Sequence, residues 1–81
     1  MSDPAFQVRL RGIFSRVFGI TLGHLPSTID TETIAAWDSL AHLALIAELE
    51  KEFRIRFSTS ESVNMLSESA IARALAMKLH D

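Results

Sequence analysis

Ser39, Asp38 and His42 are the residues whose types and spacing could do chemistry. A hydroxyl three residues ahead of an imidazole shares a helix face with it, which is how a nucleophile and its base could meet. That pairing lacks the rest of an esterase. No third residue stands ready to orient the histidine, and no glycine-rich turn offers an oxyanion hole. A chain of 81 residues buries only a modest share of its unfolded surface, roughly 60–65%, and has little volume for a substrate pocket. The expectation is a domain that works at its surface and is not an enzyme, with His42 as a rim or partner-contact residue. Ser39 has a different use. In the first turn of a helix it would lie beside unpaired N–H groups and the positive end of the dipole, favourable ground for a phosphodiester. Its alternative is structural: Asp38 and Ser39 as nothing more than a helix cap.

Those residues are positioned by elements that the apolar spacing predicts. Ser2-Asp3-Pro4 is a helix start, since a proline at the first helical position lacks only an N–H that would have no partner there. Phe6, Leu10, Ile13, Phe14 and Val17 then form one stripe, giving a helix over about 3–18 that Gly19 ends. Residues 20–38 hold no sustained period, yet Ile20, Leu22, Leu25, Ile29, Ile34 and Trp37 keep this long loop apolar. Asp38 caps a second helix, 39–53, with Leu43, Ile46, Leu49 and Phe53 as its inward stripe. A second apolar strip, Leu40, Ala44 and Ala47, lies on another side of that helix. It is either exposed, where its small side chains would admit a partner closely, or covered by the long loop. Ser58-x-x-Glu61 is a capping-box pattern that opens a short third helix, 59–66. Ser67 and Glu68 open the last, 68–79, with Ile71, Ala72, Leu75 and Leu79 on its apolar side. Arg54-Ile55-Arg56-Phe57 is the one strand-like alternation and is too short to count. The fold class is all-α: one small four-helix bundle domain over 1–81 with a long connection between helices 1 and 2.

Composition narrows the partners. There is no cysteine, and His24, His42 and His80 have no paired spacing for a metal. The net charge is −2 and no basic run appears, so the reading is no nucleic acid. No apolar run approaches the roughly 20 residues of a membrane span, and the N-terminus has no signal pattern. The expectation is a monomeric, cytoplasmic module with no metal and no membrane partner.

Trp37-Asp38-Ser39-Leu40 at a helix start, followed by Leu45-Ile46-x-x-Leu49-Glu50-x-x-Phe53, closely resembles the acyl carrier proteins. The resemblance extends over nearly the whole chain: a first helix, a long loop, the Asp-Ser-Leu helix, a short third helix and a closing one. It implies that Ser39, flanked by the motif residues Asp38 and Leu40, carries covalent 4′-phosphopantetheine transferred from coenzyme A. It implies as partners a phosphopantetheinyl transferase and the enzymes that load and process acyl thioesters. Leu40, Ala41, His42, Ala44, Ala47 and Glu48 are then the expected partner face. Carriers of fatty-acid synthesis place acidic residues where this chain has Ala41 and Ala44. The likeness is therefore to a carrier of a specialised, polyketide-like or other dedicated pathway. Peptidyl carriers approach the serine through glycines, whereas Trp37-Asp38 precede it here, which ranks an amino-acid cargo lower. The competing class is a helical protein-interaction module with no covalent group, in which Ser39 only caps.

Overall fold

Pro4 opens the first helix, α1 (Pro4–Phe18). The structure, a computed structural model, describes residues 4–79, so the Ser2-Asp3 part of the predicted start, like His80, lies outside the described residues. Gly19 ends α1 at φ +66°, where the backbone is left-handed and the missing Cβ avoids a clash. The next amide, Ile20 N–H, reaches back to the Ser15 carbonyl at 3.1 Å and satisfies one of the helix's last acceptors. Leu10, Ile13 and Phe14 are fully buried, with Phe6 and Val17 packed at their edge. Phe18 is also buried, outside the predicted stripe, because its ring packs on Phe14 and Trp37 at centroid distances of 6.2 and 5.2 Å.

The long connection contains a 3₁₀ turn, Leu22–His24, and is pinned to the core by Ile29, Ile34 and Trp37. Its backbone also pairs with the start of the last helix: Glu68 N–H donates to Ile29 at 2.8 Å and Thr31 N–H to Leu66 at 3.3 Å. Arg11 of α1 secures the same junction. Its guanidinium forks onto the Glu68 carboxylate at 3.0 and 3.1 Å and donates to the Pro26 and Ser27 carbonyls.

Helix α2 (Ser39–Phe53) buries Leu45, Ile46, Leu49 and Phe53. The predicted inward stripe is corrected at one position: Leu43 is 65% exposed and Leu45 takes its place. At about 100° per residue, positions 45, 46, 49 and 53 share one face and 43 falls well off its centre. Helix α3 (Thr59–Ser62) has the predicted capping box in both directions, but it is shorter than the expected 59–66. The chain leaves it through tighter i→i+3 turns, with Asn64 N–H bonded to Glu61 and Met65 N–H to Ser62. This turn drives Met65 into the core at 2% exposure. Helix α4 (Glu68–Leu79) buries Ile71 and Leu75, whereas Leu79, expected on the same stripe, is 44% exposed at the helix end. Among the described residues there is no strand, and no helix is long and apolar enough to cross a membrane. Helices α1, α2 and α4, with the long connection and Met65, thus enclose one apolar core, in which the predicted Phe14, Ile46, Leu49, Phe53 and Leu75 all participate.

Candidate functional site

The start of α2 is built by the turn that precedes it. Asp30 accepts from the Glu32 and Thr33 amides at 2.9 and 2.8 Å, closing a local turn that holds its carboxyl below the usual carboxylate range, mainly through the Thr33 amide. Ile34 N–H then bonds to the Asp30 carbonyl and Trp37 N–H to Ile34, a compact path that delivers Asp38 to the cap. The Asp38 backbone is extended, and its side chain accepts from Ala41 N–H at 2.8 Å, as a capping carboxylate should.

Ser39 is the first residue of the helix and is exposed. Its hydroxyl makes no hydrogen bond among the described residues, so the cap is made by Asp38 and Ser39 is left uncommitted. Beside it runs a cleft of about 560 Å³ between α2 and the 59–66 segment. Trp37, Ser39 and His42 line one side, and Leu43, Val63 and Leu66 give it an apolar rim.

His42, expected as a rim or partner-contact residue, lines this cleft. It is half-buried and held at both ring nitrogens: the Trp37 indole N–H donates to Nδ1 at 3.0 Å, and Nε2 meets the Ser62 carbonyl at 2.8 Å. An indole nitrogen only donates, so Nδ1 must be the bare nitrogen. Nε2 therefore carries the proton and donates to Ser62, a tautomer assigned by its partners. With both nitrogens engaged, His42 has no free lone pair to serve as a base for Ser39.

The remaining predicted partner residues divide. Leu40 is 76% exposed and lies with Ala44 and Ala47 on the outer side of α2, so the long loop does not cover this strip. Leu43 extends it toward the cleft. Ala41 is packed against the core, and Glu48 is half-buried and paired with Arg16 at 3.4 Å. Among the described residues no group of three His, Cys, Asp or Glu side chains could hold a metal ion.

Trp37 as a wall of the cleft, Ser62 as the acceptor for His42, and Val63 and Leu66 as the cleft's rim are features that sequence reasoning missed. One signal pointed there. A largely buried indole needs an acceptor, and His42 was the polar residue on the inward side of the next helix. No family model matches the chain, and no curated protein is significantly similar to it.

Proposed function

We propose that the chain is a carrier: Ser39 bears a 4′-phosphopantetheine arm from coenzyme A, and the arm's terminal thiol holds acyl groups as thioesters for partner enzymes. The carrying observation is the exposed, uncommitted Ser39 hydroxyl at the mouth of an apolar cleft, directly after a cap that Asp38 completes without it. A phosphodiester there lies at the positive end of a 15-residue helix, and the helix need not be disturbed to make it. His42 is committed to Trp37 and Ser62, which leaves bond making to the partners. The Leu40–Ala44–Ala47 strip is an unpolarised docking face. The nearby Glu48 and Glu52 carboxylates are paired with Arg16 and Arg9, so charge is a secondary part of recognition. Residues Ala41 and Ala44 favour a dedicated pathway over housekeeping fatty-acid synthesis, with a cytoplasmic setting.

The test is intact mass after incubation with coenzyme A and a broad-specificity phosphopantetheinyl transferase. The wild-type chain should gain one phosphopantetheinyl group. Ser39→Ala should gain none and should melt as the wild type does. A second reading has its own support: Leu43, Val63 and Leu66 are 65, 57 and 45% exposed around one cleft, an apolar patch that suits an interaction module. A wild-type chain that never gains the mass leaves this second reading in place of the first.

A further inference from the structure

We infer that the hydrogen-bonded chain Trp37–His42–Ser62 is a plug between the Ser39 cleft and the core, so that an acyl chain held at Ser39 stays in the outer cleft and does not enter the bundle. The proposal rests on the carrier reading only for what Ser39 holds.

The cleft and the core share one wall. Trp37 lines the cleft on one side, and on the other its ring packs on Phe14 and Phe18 at 5.9 and 5.2 Å. Phe14 is fully buried and Trp37 is 7% exposed, so the indole is the last core residue before the cleft. His42 stacks beside it, ring centroids 6.1 Å apart, and crosses to the Ser62 carbonyl at the end of α3. The three residues belong to three separate segments: the loop before α2, α2 itself and α3.

A hydrocarbon chain passing inward would have to part these groups. Doing so would leave an indole N–H, an imidazole N–H and a backbone carbonyl without partners in an apolar setting, and the chain has no polar atom to replace them. The outer route has no such obstacle, because Leu43, Val63 and Leu66 already present apolar surface to the cleft. His42 is thus a specificity-determining residue. Its bond to Ser62 ties α3 to α2 and its bond to Trp37 ties in the loop before α2, and together they set which side of the wall a chain occupies.

The absence of cysteine from the sequence allows a test that needs no transferase. Ser39→Cys, treated with alkyl methanethiosulfonates from methyl to dodecyl, places chains of graded length at the site through a mixed disulfide, releasing methanesulfinate. Methyl NMR shifts of the core residues Ile13, Leu45 and Leu49 and of the cleft residues Leu43, Val63 and Leu66 are then read against chain length. The expected result is a flat core series from methyl to dodecyl, with the shifts confined to the cleft residues. Core shifts that grow with chain length would overturn the proposal.

His42→Ala in the same background should acquire that length dependence. His42→Gln, which can offer an acceptor to Trp37 and a donor to Ser62, should restore the flat series. If His42→Ala also gives a flat series, His42 is not the plug. If His42→Ala does not fold, the parent series still decides the question. Failure of the carrier reading shows elsewhere, as wild-type chain that gains no phosphopantetheinyl mass, so the two ideas can fail separately.

Discussion

The two ends of α2 solve opposite problems. At its N-terminus the cap is complete without strain, the first helical side chain is exposed and makes no hydrogen bond among the described residues, and Leu40 and Leu43 beside it face outward. At its C-terminus nearly every group is spent on holding the chain. Phe53 is buried against Phe6 at 5.6 Å, and the Arg9 guanidinium lies 4.6 Å above its ring. The Glu50 carboxylate takes the Phe57 amide at 2.9 Å, and the Glu50 backbone carbonyl takes the Arg54 and Ile55 amides. Arg54 sits at φ +57°, a left-handed conformation that residues with a Cβ adopt only at a cost. One helix therefore has an anchored end and a presented end.

The contrast breaks first at the anchored end. Phe53→Ala removes a buried ring and is expected to cost roughly 3–5 kcal/mol, a large part of the roughly 5–15 kcal/mol of a whole domain. Chemical denaturation measures it, and a nearly unchanged midpoint would mean the anchor lies elsewhere. At the presented end Asp38→Ala loses one cap bond and should cost about 1 kcal/mol, with amide exchange at Ala41 rising most. Arg54→Gly relieves the left-handed backbone, but glycine also loosens the unfolded chain. The balance should be a gain of somewhat under 1 kcal/mol, seen as a higher melting temperature. A loss on this substitution would show that the Arg54 side chain itself holds the anchor.

The smallest effect is acid sensitivity, and it belongs to the presented end. Asp30 braces the turn before α2, and Glu61 is held below the usual carboxylate range first by the Ser58 amide and then by Lys78 at 3.0 Å. Both folded-state values lie below the unfolded ones. Their contribution is therefore complete above the ordinary carboxylate values of about 3.9–4.3 and is lost as pH falls through the lower folded values. Amide shifts of Thr33 and Ser58 should titrate with midpoints below that range. Midpoints at ordinary values would remove these carboxylates as braces of the cleft.

The caps were legible because they are local. Asp38, Ser58 with Glu61, and Gly19 each do what their neighbours in sequence require, and no tertiary information is needed to see it. The fold class and the core members Phe14, Leu49 and Leu75 were legible from spacing for the same reason. The register of α2 was not, since that helix carries apolar residues on two faces and docking alone decides which is covered. Leu43 and Leu45 exchanged roles there. The end of α3 was hidden too, because Val63, Met65 and Leu66 look equally helical until Met65 is drawn into the core. Of the candidate site, the position of Ser39 in the first turn after the Asp38 cap could be read directly, but the cleft could not: it is made by residues about twenty positions away.

The pairing of Ile29 and Thr31 with Leu66 and Glu68 has a consequence in time. These contacts join segments nearly forty positions apart, so they belong to the late, slow part of folding, when the cost of closing a large loop has been met. On a ribosome, α1 and α2 emerge and can associate while the loop between them still lacks its partner strand of backbone. The turn that delivers Asp38 and Ser39 is therefore among the last features to settle. A truncated chain ending before residue 66 should show helical signal while its Asp30–Thr33 turn exchanges freely, which sets an order of assembly in which scaffold precedes site.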